Sequence, residues 1–149
     1  MVQARLAEEA FSGEGARRYG GRWNHPGTRM VYTAGSASLA ALELLVHLEA
    51  PHLLAAYVQI PVDFGDELCE RMDLARLPAD WTASPAPTST KDLGTAWVRA
   101  GTAAVLVVPS ALVPQESLFL LNPQHPDFPR IRTGRAAAFA FDRRMVKAG

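Results

Sequence analysis

The sequence predicts one domain that mixes helices and strands over a single core, either α/β or α+β. Three observations carry that prediction. Apolar, β-branched runs of strand length alternate with segments of helical pattern along the whole chain. A chain of 149 residues that is 48% hydrophobic is long enough for one complete core. No internal repeat and no Rossmann glycine pattern divides it further. Strand directions cannot be read from the pattern.

The elements follow in order. The opening segment, through Arg5 and Phe11, leads to Ser12-Gly13-Glu14-Gly15, which reads as a flexible loop beside Arg17, Arg18 and Arg22. Cations beside glycines suit an anion, but no GxxxxGK[ST] pattern follows, and solvated surface arginines are the favoured reading for Arg17 and Arg18. Gly20-Gly21 frees the backbone ahead of Arg22 and Trp23, and Asn24-His25-Pro26-Gly27 reads as a turn. Met30 to Thr33 is a short strand carrying Tyr32.

A helix comes next, capped by Ser36 or Ser38. On a wheel of ~100° per residue, Leu42, Glu43 and Val46 lie within about 60° of Leu39. Leu44, Leu45 and Leu48 cover the other sides, so the helix is expected to be buried nearly all round. Glu43 has no Lys or Arg three or four positions away. Such a carboxylate needs a partner from elsewhere in the fold or a functional reason to be there; the plainer alternative puts it at the edge of the buried face. His47 lies one turn on, but His52 falls beyond Pro51, so no metal motif forms and none is expected.

Leu54 to Val62 reads as a strand. Asp63 to Asp80 holds six acids against two arginines, a solvated connector that could balance the basic C-terminal stretch. Ala83 to Thr90 is a loop by composition, and Ser89 or Thr90 starts a helix from Lys91 to Arg99 that Gly101 stops. Ala103 to Val108 is the most apolar strand and is expected at the centre. Ser110, just beyond it, suits a substrate hydrogen bond or a turn cap; no GxSxG surrounds it. Ser117 to Leu121 is the next strand, entering a loop from Asn122 to Asp127 that two prolines shape. Ile131 and the Phe139–Phe141 pair suggest closing strands. Arg130 to Lys147 carries six basic residues and one acid.

Composition excludes several classes. A formal net charge of zero argues against a polyanion as main partner, and the basic residues near the C-terminus lack interleaved aromatics, so direct nucleic-acid binding is not expected. One cysteine, Cys69, makes no intrachain disulfide, and the apolar runs are short of a membrane span; a cytoplasmic protein is expected.

Five stretches together resemble the RES domain family: FSGEGARRYGGRWNHPG, MVYTAGSASLAALELLVHL, TKDLGTAWV, VLVVPSALVPQESLFLLNPQHPDF and FAFDRR. The likeness covers almost the whole chain, residues 1–149, in the family's order. It implies an α+β domain, with a central mixed sheet flanked by helices, similar to the ADP-ribosyltransferase fold. It implies a toxin that degrades NAD+ by cleaving the nicotinamide–ribose bond, with water or inorganic phosphate as acceptor, and so arrests growth. NAD+ is then substrate, no cofactor is required, and the partner is a cognate antitoxin with a helix-turn-helix domain. A homodimer or hetero-complex fits the exposed charged segments.

Carried over residue by residue, the resemblance implies Arg22, Tyr32 and Glu43 as catalytic residues. Arg22, Tyr32, Ser110, Asn122 and His125 would contact the dinucleotide. The family pattern also has a short extension ahead of Met1 with an arginine lining the pocket, and Arg5 corresponds to a later position. Two other readings stand beside the NAD+-degrading toxin: an ADP-ribosyltransferase acting on a macromolecule, and an inactive module that binds NAD+ or an antitoxin.

Overall fold

The computed structural model describes residues 1–47 and 56–145. Leu48, Pro51, His52, Leu54 and Lys147, named above, lie outside the described residues. The centre is a four-stranded mixed sheet in the order β2 (Val31–Ala34), β7 (Ser117–Leu121), β6 (Val105–Pro109), β5 (Cys69–Arg71). Its β2–β7 and β7–β6 pairs are antiparallel and its β6–β5 pair is parallel. A second sheet joins β1 (Val2–Gln3), β3 (Tyr57–Gln59) and β9 (Ala137–Ala138), and β4 (Val62–Asp63) pairs with β8 (Arg132–Thr133). With helices α1 (Glu14–Tyr19), α2 (Ala37–Leu45) and α3 (Thr88–Ala100), this is the α+β arrangement with a central mixed sheet flanked by helices.

Alternation along β6 and β7 builds two cores. Leu106, Val108, Leu118 and Leu120 face Trp23, Met30, Leu39 of α2 and Trp97 of α3. Val105 and Leu121 face the other way, with Val31, Leu68, Ala104 and Ile131. This period of two is what an apolar run buried on both faces requires. β6, the most apolar run, is indeed internal to the sheet, with Val105 and Leu106 at most 1% exposed.

Several expectations are corrected. The Ser12–Gly15 segment is not simply a loop: the Ser12 hydroxyl accepts from the Glu14 N–H, and α1 starts there. Helix α2 is capped by Ser36, whose hydroxyl accepts from the Leu39 N–H, but it is not buried all round. Leu39 and Ala41 are buried, whereas Leu42 and Val46 stand 43% and 57% exposed. Helix α3 begins at Thr88, earlier than the pattern suggests, and no side chain caps it; Gly101, at φ 60°, ends it as expected. The Leu54–Val62 strand is, over its described part, two strands, β3 and β4, broken at Ile60-Pro61. The acidic connector contains the edge strand β5. Two closing strands form as expected, β8 just after Ile131 and β9 just before Phe139, while Phe139 and Phe141 themselves stack edge to face, centroids 4.8 Å apart. The basic stretch near the C-terminus does balance the connector: Arg130 pairs with Glu67 at 2.7 Å and Arg132 with Asp63 at 2.8 Å.

Candidate functional site

The register of the main sheet decides which candidate residues meet. Val31, Leu121 and Val105 align at one end; Ala34, Leu118 and Val108 align near the other. Chain leaving β2 at Ala34 enters α2, and chain leaving β6 at Pro109 enters the Ser110 turn, so both emerge at the same end. There the Ser110 hydroxyl donates to Glu43 Oε1 at 2.7 Å. Ser110 Oγ in turn accepts from the backbone N–H groups of Leu112 and Val113, each at 3.1 Å. Ser110 is fully buried, so its hydroxyl is at once the cap of its own turn and the partner Glu43 lacked along the helix. Glu43 is half-buried, and its Oε2 has no hydrogen-bond partner among the described residues.

Tyr32 sits opposite Leu120, on the sheet face that carries α2 and Trp23. Its hydroxyl donates to Asn24 Oδ1 at 2.7 Å and accepts from the Trp23 N–H at 3.0 Å. Although 37% of Tyr32 is exposed, its oxygen end is enclosed. Burial of that end raises the phenol well above the ordinary tyrosine range; the Trp23 N–H and the Arg22 charge oppose the shift without cancelling it. Tyr32 is therefore a neutral phenol and not a base at neutral pH.

Arg22 is held at both ends. Its carbonyl accepts from the Thr90 hydroxyl at 2.7 Å. Its Nη1 donates to the carbonyls of Trp81 and Ala83 at 2.8 and 2.9 Å. Nε and Nη2, the side-on edge of the fork, make no hydrogen bond among the described residues, and that edge suits a phosphate or carboxylate. By contrast, Arg17, Arg18 and Arg29 converge on Glu14. Hydrogen bonds from Arg17 and then Arg18 hold the Glu14 carboxyl down at about 2. Those three cations already have an anion.

The structure does not bring Asn122 and His125 to this group. Both follow β7 at the Val31 end; Asn122 is five residues from Ser117, or about 17 Å at ~3.4 Å per residue, and His125 lies three residues further along the chain. Asn122, 2% exposed, donates weakly to the Val98 carbonyl at 3.4 Å, and its Oδ1 accepts from the Gln124 N–H at 3.0 Å. His125 Nε2 lies 3.1 Å from the Gly101 carbonyl, and Nδ1 accepts from the Asp127 N–H at 3.0 Å, which fixes the Nε2–H tautomer. Here both side chains shape the two-proline loop.

A cavity of about 580 Å³ opens along the β2 edge, bounded by Tyr32, Thr33, Ser36, Ala40, Phe119 and Arg135 among others. Arg22, Glu43 and Ser110 are not among its walls. Helix α2 connects the two: Ala40 faces the cavity, and Glu43, three residues on, lies about 60° around the helix toward the Leu39 core face. Complementary polar groups meet at the Glu43–Ser110 contact, whereas the walls of the cavity are mostly apolar. Among the described residues, no group of three or more His, Cys, Asp or Glu could hold a metal ion. No helix among them is long and apolar enough to cross a membrane.

Sequence reasoning missed Asn24 and Thr90, both 0% exposed, and the Trp81 and Ala83 carbonyls. Asn24 reads as an ordinary turn residue, Thr90 as one of several helix-start candidates, and backbone carbonyls leave no mark in a sequence.

The chain is 40% identical to "Toxin Res" of Photorhabdus laumondii over 149 residues, spanning 99% of this chain and 96% of that protein. It is 37% identical over 140 residues to a "Prs ADP-ribosylating toxin" of Sphingobium, spanning 92% and 87%. Its fold is similar to that of a chain in the M. tuberculosis MbcT–MbcA toxin–antitoxin complex, with TM-score 0.68 and 24% identity. That match covers 86% of this chain and 76% of the other. The RES domain profile matches residues 2–142, and the chain belongs to the RES domain family.

Proposed function

We propose that this chain is a toxin that consumes NAD+, cleaving the bond between ribose C1′ and the nicotinamide nitrogen, with water or inorganic phosphate as acceptor. The observation that carries the reading is the Glu43–Ser110 hydrogen bond at 2.7 Å, formed where α2 and the end of β6 converge. The nicotinamide ring is cationic in NAD+ and departs from the ribose as a neutral molecule, taking the bonding pair, so no general acid is needed. Positive charge develops on the ribose, and a positioned carboxylate stabilises that oxocarbenium-like centre. Ser110 fixes one oxygen of Glu43 and leaves the other for the ribose. The open edge of Arg22 grips the pyrophosphate, while its other nitrogen stays anchored to Trp81 and Ala83. Asn122 and His125 then contribute by shaping their loop rather than by touching the reacting bond.

The toxin names of the relatives support this reading, and the MbcT–MbcA complex supports a cognate antitoxin as partner. The Sphingobium relative favours a second reading, in which ADP-ribose passes from the same site to a macromolecule. Proton and phosphorus NMR of NAD+ with purified protein separates them. Free ADP-ribose without phosphate identifies hydrolysis, and ADP-ribose 1″-phosphate formed only with phosphate identifies phosphorolysis. NAD+ consumed only when a macromolecular acceptor is added, with label retained on it, replaces the first reading by the second.

A further inference from the structure

Asn24 has every atom of its amide committed. Nδ2 donates to the carbonyls of Ala16, His25 and Thr28 at 2.9, 3.1 and 3.1 Å. Those acceptors come from α1 and from both sides of the turn, so rotating the amide would set Oδ1 against three carbonyl oxygens and take away the Asn24 donor from the Thr28 carbonyl. Its Oδ1 is thereby fixed toward β2, where it takes the Tyr32 proton at 2.7 Å. The Trp23 N–H occupies the phenol's accepting side. Gly21 closes the socket: a Cβ there would lie 2.5 Å from the Tyr32 hydroxyl oxygen and 3.0 Å from Asn24 Oδ1. One proton donated and one N–H accepted leave the hydroxyl no donor for a ligand. The ring remains open on the cavity side.

We propose that Asn24 is a positioning residue for Tyr32, locking the phenol so that its ring, and not its hydroxyl, meets the substrate. The inference rests on the NAD+ reading above for the identity of that substrate. A flat ring held by its far end can pack against the ribose or nicotinamide with little rotamer entropy left to lose on binding.

Two measurements test it. First, kcat and KM for NAD+ are compared for Tyr32→Phe, Tyr32→Ala, Asn24→Ala and the Asn24→Ala/Tyr32→Phe double variant. Tyr32→Phe and Asn24→Ala should each lower kcat/KM on the order of 2- to 10-fold, since each removes the same hydrogen bond. The double variant should lose no more than the worse single one, and Tyr32→Ala about 100-fold, since it removes the ring. Additive losses in the double variant, or a Tyr32→Phe loss as deep as that of Tyr32→Ala, overturn the proposal.

Second, tyrosinate absorbance is titrated in the free protein, over the pH range where circular dichroism keeps its native signal. Gly21→Ala serves beside Asn24→Ala here, because it disturbs the socket without removing the three carbonyl contacts. Both should let Tyr32 ionise nearer the ordinary tyrosine range, and unchanged curves overturn the lock. This arm needs no substrate. A wild-type protein inert toward NAD+ therefore removes the functional reading while the titration still judges Asn24.

Discussion

Removing one oxygen atom, by Ser110→Ala, should damage both stability and turnover, because that oxygen carries two kinds of contact. It accepts from the N–H groups of Leu112 and Val113 at 3.1 Å and donates to Glu43 at 2.7 Å. Alanine fits the same space, so no cavity contributes. An unsatisfied buried donor costs about 1–3 kcal/mol. Leu112 is 43% exposed and its N–H can turn to water, so the full cost applies only near Val113. The net loss is then roughly 1–3 kcal/mol, or about 3–10 °C in Tm for a chain of this size. Turnover should fall by about 10- to 100-fold, because Glu43 loses the contact that fixes its free oxygen. Glu43→Gln is the control: its amide oxygen still accepts from Ser110, so Tm should stay within about 2 °C of wild type. Calorimetry and initial rates of nicotinamide release, corrected for folded fraction, read both quantities. A Ser110→Ala protein with lowered Tm and unchanged kcat would refute the positioning role and leave Ser110 as a turn cap only.

Other consequences can be checked in parallel. Arg22→Ala should raise KM for NAD+ by about 10-fold or more with a smaller change in kcat, as expected for a residue that grips the ground state too; an unchanged KM removes the pyrophosphate contact. Gly94 in α3 lies against the Trp23 backbone, where any Cβ would collide with the carbonyl, so Gly94→Ala should cost about 2–4 kcal/mol in urea unfolding. Tyr32 holds its proton longer folded than unfolded, so the unfolded chain ionises first. That contribution to stability is complete below about pH 10 and is lost as pH rises from there toward the higher folded value. Tyr32→Phe should abolish that component of alkaline destabilisation, which urea titrations between pH 9 and 11 can resolve.

What the sequence discloses of this fold follows from how locally each element is specified. β6 and β7 are buried on alternating faces, and their apolar runs announce them within a residue or two. β5 was not legible: Cys69-Glu70-Arg71 is a short edge strand, half-buried to exposed, which pairs with β6, more than thirty residues away in sequence. Helix α1 hid among glycines because its cap and its Glu14–arginine cluster, not an apolar face, define it. At the site, Glu43 was visible as a carboxylate without a helical partner, and Ser110 as a residue beyond a central strand. That they meet required the register of β2, β7 and β6, which no local pattern encodes. The exposed Leu42 and Val46 show the same limit from the other side: the helical wheel predicts a helix buried nearly all round, while Leu39 and Ala41 are the buried residues of α2.

The most direct test of the account is nicotinamide release from NAD+ by wild type and Glu43→Gln, with NAD+ affinity measured by titration calorimetry on both. Glu43 stabilises charge that develops only in the transition state. Glu43→Gln should therefore lose at least about 100-fold in kcat while its Kd for NAD+ moves by no more than about 3-fold. Equal losses in kcat and affinity, or turnover preserved in the variant, would contradict the role given to Glu43 and to the hydrogen bond that holds it.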